Sequence, residues 1–250
     1  MKKVLFFAAI VLMNVAAHAQ TSDKLTVRIE GMHCDHCAHK VKTLLEEKLS
    51  LSDIDFDLEK RTIAVAYDGQ TATKDKIMET LAATERYKAQ TYSADDVILR
   101  EKEYRIADMH CAKCAHRISE SVGSMEGVDS LGFDIENHNV LVRYDANRTS
   151  RDSVREALLK LGFTPVSYYK SDAADYAYLL IPADKANAET EEQAEEIEGV
   201  NDVCVNAKRN ALAITFVKKK TSAEQIIAQL KTAGVEAKLP APHVCKEEAE

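Results

Sequence analysis

The chain has no tryptophan, four prolines and eight glycines, and its one uninterrupted apolar run, Val4 to Met13, is ten residues long. A membrane-spanning helix needs about 20 such residues, so that run falls well short of a span, and no stop-transfer segment follows it. Basic excess is also lacking: 33 Lys and Arg stand against 41 Asp and Glu. A chain of this sign does not attract nucleic acid or anionic lipid through its overall field. No phosphate-binding loop, Ser/His/Asp arrangement or pair of catalytic carboxylates stands out, which leaves most hydrolytic and nucleotide chemistry without a carrier. The shortage of Trp and Gly excludes neither one large domain nor several small ones, and 46% apolar composition supplies a core for either.

The start of the chain reads as a targeting segment. Lys2 and Lys3 precede the apolar run, and Ala17-His18-Ala19 before Gln20 is a small-x-small cleavage pattern. The expectation is a signal peptide over residues 1–19, no membrane span after its cleavage, and a periplasmic or secreted mature protein. The segment contains no cysteine, so a lipid-modified N-terminus has no support.

Six cysteines remain to be placed, and four fall in two Cys-x-x-Cys pairs, Cys34 with Cys37 and Cys111 with Cys114. Five of the eight histidines lie in or beside them: His33, His36, His39, His110 and His116. Such clustering favours ligand chemistry over a scattered disulfide framework. The pairs belong to an internal repeat. A shift of 77 places lays Met32-His33-Cys34 on Met109-His110-Cys111, Cys37-Ala38-His39 on Cys114-Ala115-His116, and Tyr67-Asp68 on Tyr144-Asp145. A shift of 72 yields a third copy, with Val154, Leu158 and Gly162 on Ile226, Leu230 and Gly234, but Cys111 and Cys114 become Ala183 and Ala186.

Each copy reads as strand, helix, two strands, helix, strand. In the first, Leu25, Val27 and Ile29 alternate, Val41, Leu44, Leu45 and Leu49 recur at helical spacing, and Ile54/Phe56/Leu58 and Ile63/Val65/Tyr67 alternate again. A second helix follows over about Thr73–Thr84 and a last strand over Tyr87–Tyr92. Thr149-x-x-Asp152 and Thr221-x-x-Glu224 read as capping boxes opening the second helices of the later copies, which end at Gly162 and Gly234. The fold class is α+β: three tandem ferredoxin-like βαββαβ domains, each a four-stranded antiparallel sheet with two helices on one face. The domains fall at 24–92, 102–169 and 175–239, with a C-terminal tail over 240–250.

Gly31-Met32-His33-Cys34-Asp35-His36-Cys37, at a strand–helix junction in such a unit, resembles the loop of the heavy-metal-associated domain family. Asp108-Met109-His110-Cys111-Ala112-Lys113-Cys114 matches it apart from Asp where Gly is usual. The family includes copper chaperones, the N-terminal modules of metal-pumping ATPases and periplasmic mercury-binding proteins. The resemblance implies Cys34, Cys37, Cys111 and Cys114 as metal ligands. The chemistry agrees: a two-residue spacer puts one thiol in the loop and one at a helix start, where the helix N-terminus favours thiolate. Two soft sulfurs suit Cu(I), with Zn(II), Cd(II) and Hg(II) as alternatives. Met32 and Met109 are expected to plug the core beneath the loops, since Ile181 takes their place where the thiols are absent. His33 and His110 are expected to shape the loops, and His36, between the thiols, to tune its site, with a third ligand as the other reading. Tyr87 and Phe163 match the position before the last strand that packs near the metal in the family.

The expected function is an exported carrier or buffer of metal ions, exchanging with a membrane transporter or another carrier. Cys-x-x-Cys also marks thiol–disulfide oxidoreductases, but those sit in a thioredoxin-like context after an aromatic residue. Two cysteines are left over. Val203 and Val205 take inward positions, so Cys204 is expected on the open sheet face, where the tail can bring Cys245 to it. A disulfide there closes a loop of about 40 residues; a third, weaker metal site with His243 is the other reading. Glu189–Glu198 holds six glutamates and reads as a solvated face, or as a surface for a basic partner.

Overall fold

A computed structural model describes residues 23–241 except 33, 52, 70–71, 85, 169–170 and 172. The expected signal peptide, His33, His243 and Cys245 lie outside the described residues. The described chain forms two compact units, one ending at Tyr92 and the other beginning at Ser93.

The first unit is one βαββαβ domain: β1 (Asp23–Glu30), α1 (Asp35–Leu49), β2 (Ile54–Asp57), β3 (Thr62–Tyr67), α2 (Lys74–Ala82) and β4 (Lys88–Thr91). The sheet order is β2-β3-β1-β4, and the pairings described are antiparallel. The alternation in β1 puts Leu25, Val27 and Ile29 on the covered face, against Val41 and Leu45 of α1 and Ile77 and Leu81 of α2. Met32 lies in the same core, fully buried.

The second unit holds two further copies. Repeat 2 comprises β5 (Leu99–Ile106), α3 (Ala112–Val122), β6 (Val128–Asp134), β7 (Asn139–Asp145), α4 (Arg151–Lys160) and β8 (Pro165–Ser167), in sheet order β6-β7-β5-β8. Repeat 3 comprises β9 (Ala174–Leu180), a 3-10 turn at Ala183–Lys185, α5 (Ala188–Glu195), β10 (Val200–Asn206), β11 (Ala211–Val217) and α6 (Ala223–Thr232). Its sheet has three strands, β10-β11-β9, not the expected four. The fourth strand shrinks to a single bridge, Leu180 with Lys238. Pro240 follows two residues later and has no N–H to extend the ladder.

The repeats share one hairpin device. The second and third strands of each turn through a left-handed residue: Arg61, His138 and Asn210, with φ of 54°, 56° and 51°. Its carbonyl accepts a hydrogen bond from the end of the first strand, at Ile29, Ile106 or Ile181, at 2.8–2.9 Å. Each such bond pins the first strand where the following loop begins. The second-helix caps lie one residue later than the sequence pattern places them. Ser150 and Ser222 accept from the N–H of Ser153 and Gln225, because the N–H groups of Thr149 and Thr221 are already turned back onto Asp145 and Val217. Gly162 and Gly234 do close those helices, at φ 87° and 83°.

Cys204 points to the side of its sheet away from the repeat 3 helices, as expected, but that side is not open. Val166 and Leu159 of repeat 2 pack there with Ala213, Tyr176 and Tyr178, and Cys204 is fully buried. The expectation that this face is open is thus corrected, since repeat 2 covers it, while Cys245, the expected disulfide partner, lies outside the described residues. Burial pushes the Cys204 thiol up to about 12.

Candidate metal centre

Both thiol pairs are built alike. Cys34 is the N-cap residue of α1 at φ −154°, ψ 165°, and Cys111 that of α3 at −154°, 167°. Neither cysteine side chain caps its own helix, so each sulfur is left to face the next one. The Sγ–Sγ distance is 3.4 Å in each pair. The outer thiols, Cys34 and Cys111, are exposed, Cys37 is buried and Cys114 lies between. The backbone N–H of Cys114, followed by its side chain, lowers the Cys111 pKa, the effect of free helix N-terminal donors on a thiolate.

The loop methionines are core residues, fully buried at both sites, and Ile181 is buried at the equivalent place. Among the described residues no three His, Cys, Asp or Glu side chains gather as a metal cluster. His36 is exposed, His39 stands edge-on to Phe56 at 6.0 Å, and His116 lies 3.3 Å from Glu120. His110 is exposed and stands edge-on to His138 at 5.3 Å.

Three residues around the thiol loops, Arg86, Arg117 and His138, were not apparent from the sequence. Arg86 Nη2 donates to Cys37 Sγ at 3.6 Å, and its guanidinium lies over the Tyr87 ring. Tyr87 is buried; burial and then the Cys37 thiol raise its hydroxyl pKa. In repeat 2 the matching Phe163 is fully buried under the Arg117 guanidinium, 5.3 Å from its centroid. His138 Nδ1 lies 2.7 Å from the Met109 carbonyl and so holds the second loop from the hairpin side. Its left-handed turn position, shared with Arg61 and Asn210, was the one available signal.

The two loops differ at one residue. Gly31 has φ 94°, and a Cβ there would stand 2.9 Å from the Arg86 carbonyl oxygen. Asp108 replaces it in repeat 2 without a positive φ. Its carboxylate is buried and accepts from the N–H and hydroxyl of Thr164 at 3.1 and 2.9 Å. The resemblance left this Asp as a departure; the structure makes it a docking group.

The heavy-metal-associated domain matches residues 26–86 and 103–164, each spanning one thiol pair. The chain is a member of the heavy-metal-associated domain family. A copper-exporting P-type ATPase of Bacillus subtilis is 28% identical over 141 residues, covering 56% of this chain and 16% of the ATPase. The copper chaperone CopZ of Staphylococcus saprophyticus is 36% identical over 56 residues, 22% of this chain and 82% of the chaperone. The water-soluble region of the P-type ATPase CopA from Bacillus subtilis shares 23% identity over 58% of this chain and 93% of that one, with a TM-score of 0.28. This chain thus spans only a small part of the ATPases it resembles. Its heavy-metal-associated domains are metal-binding modules of the kind found in chaperones and ATPase N-terminal regions. Among the described residues no helix is long and apolar enough to cross a membrane.

Proposed function

We propose that the protein is an exported Cu(I) carrier or buffer with one ion held by Cys34 and Cys37 and a second by Cys111 and Cys114. The observation that carries this is the duplicated site: two thiols 3.4 Å apart at a helix start, with no third cysteine, histidine or carboxylate gathered on them among the described residues. Such a donor set is soft and of low coordination number, which suits Cu(I) over Zn(II), whose protein sites take four ligands. Relatives named for copper export and copper chaperoning support the same metal. The basic start of the sequence and its Ala-x-Ala pattern support export into the periplasm or medium. The partner in exchange is a membrane metal transporter or a second carrier.

Reduced anaerobic protein should bind two Cu(I) ions per chain against a chelator, and Cys34→Ser with Cys37→Ser should leave one. Three tight ions, or none, would refute the assignment. The oxidoreductase alternative predicts insulin reduction abolished by Cys34→Ser. A carrier should show no turnover above the buffer rate, and turnover comparable to a disulfide oxidoreductase would overturn the carrier reading.

A further inference from the structure

We propose that repeat 3, which has no thiols, braces the second metal loop, with Arg209 and Asn206 as its positioning residues, so that site 2 retains metal while site 1 exchanges it. The inference rests on the metal-binding reading above and adds an inequality between the two sites.

The brace is made by the hairpin between β10 and β11. In repeat 2 the chain leaving α4 runs over Lys160 to Thr164 and meets the metal loop where Thr164 donates to Asp108. Its four consecutive carbonyls are each taken by a side chain. Lys208 Nζ donates to Lys160 at 2.8 Å, Arg117 Nη2 to Leu161 at 2.8 Å, Arg209 Nε to Gly162 at 2.5 Å, and Asn206 Nδ2 to Phe163 at 3.0 Å. Three of those four donors belong to repeat 3. The last carbonyls of a helix lack intrahelical partners, and here the docked hairpin serves three of the four and Arg117 the other.

The same hairpin reaches the metal loop itself. Arg209 Nε lies 3.1 Å from Asp108 Oδ2, and the Asp108 side chain is 3% exposed. Asp108 stands three residues before Cys111. Asn206 Nδ2 also donates to Thr164 Oγ1 at 3.0 Å, and that hydroxyl donates in turn to Asp108. One network therefore ties the start of the thiol loop, the loop carrying Phe163, and repeat 3. Tyr176 and Tyr178 of β9 adjoin it: after burial, the Asp108 carboxylate raises both hydroxyl pKa values.

Within the first unit the corresponding place holds Gly31 rather than a carboxylate, and Arg86 of the neighbouring loop donates to the thiol of Cys37. Releasing an ion from a two-thiolate site requires its loop to open. A loop already fixed by an outer network binds with less ordering cost and opens less readily. Outer partners of metal ligands typically change affinity by about 10–100-fold when removed.

The test uses the full mature chain in two backgrounds, one lacking site 1 (Cys34→Ser, Cys37→Ser) and one lacking site 2 (Cys111→Ser, Cys114→Ser). Each is loaded with one equivalent of Cu(I), and release to a bathocuproine chelator is followed by absorbance. Arg209→Ala with Asn206→Ala should speed release from site 2 by about 10-fold or more and leave site 1 unchanged. Asp108→Gly, which restores the residue of the first loop and removes the buried carboxylate, should do the same. Adding Arg209→Ala to Asp108→Gly should add little, since both cut one network. Unchanged release from site 2 in both variants with circular dichroism intact, or an equal change at both sites, would overturn the brace. Failure of either background to bind Cu(I) at all would instead remove the metal reading on which the brace depends.

Discussion

Arg155 is the side chain that most directly fastens repeat 2 to repeat 3, and its removal has a calculable consequence. It leaves α4 and donates through Nη1 to Asp202 at 2.9 Å, through Nη2 to Glu191 at 3.4 Å, and through Nη2 also to the Val203 carbonyl. Burial works against its charge, but the Asp202 and Glu191 carboxylates outweigh that and hold the guanidinium protonated. The register shift of β10 between Val200 and Asp202 turns the Asp202 carboxylate toward this contact, where it also accepts from the Ser167 N–H at 2.6 Å. Removing one partner of a buried pair costs about 3–5 kcal/mol. Arg155 is 24% and Asp202 16% exposed, and Ser167 still serves the carboxylate, so about 2–3 kcal/mol is the expected loss for Arg155→Ala. For a unit of this size that lowers the melting temperature by roughly 5–10 °C. Calorimetry of the full chain should show the second unit's transition fall and the first unit's stay in place. Lys160→Ala, which breaks an exposed pair with Glu156, should cost under about 0.5 kcal/mol, and Arg155→Met with Asp202→Asn and Glu191→Gln should recover most of the loss because no charge is left stranded. An Arg155→Ala loss no larger than that of Lys160→Ala would refute the view that this pair holds the repeats together.

Burial and backbone conformation set three further outcomes. Cys204, raised to about 12 by burial, should resist iodoacetamide at pH 8 while exposed Cys111, whose pKa is lowered, is alkylated; comparable labelling of the native protein would show the repeat 2–repeat 3 contact to be open. A thiol whose folded pKa exceeds its unfolded value of about 8.5 leaves stability intact below that pH and removes it as pH rises toward about 12. Alkaline unfolding over that window should therefore be less steep in Cys204→Ala than in the parent, and identical slopes would contradict it. Gly31→Ala should destabilise the first unit by about 1–3 kcal/mol, because φ is 94° and the new Cβ meets a backbone oxygen at 2.9 Å; denaturant midpoints equal within error would refute the strain.

The parts legible in the sequence were those written as period or repetition. Alternation in β1 and helical spacing in α1 each follow from one face meeting one core, so Leu25, Val27, Ile29, Val41 and Leu45 could be placed without coordinates. The thiol loops were legible because a soft metal constrains residue type and spacing together, and the buried methionines because a third copy replaces them with Ile181. The contact between repeats 2 and 3 has no period. It is made by single residues, Arg155, Asp202, Asn206, Arg209 and Asp108, on four different segments, and each by itself reads as an ordinary exposed polar residue. Glu191 shows how this hides: it lies in a run of glutamates whose other members are solvated, yet it is the one that turns to Arg155. Cys204 failed for the same reason, since its facing direction follows from strand alternation while what covers that face belongs to another repeat. The one informative sign was Asp108 in a glycine position. A carboxylate there avoids the positive φ and needs buried partners, and Arg209 and Thr164 supply them. The departure from the family pattern and the retention of a thiol-free third repeat are then two sides of one contact. Losing Arg209 should strand Asp108, and substituting Asp108 should free the hairpin of repeat 3.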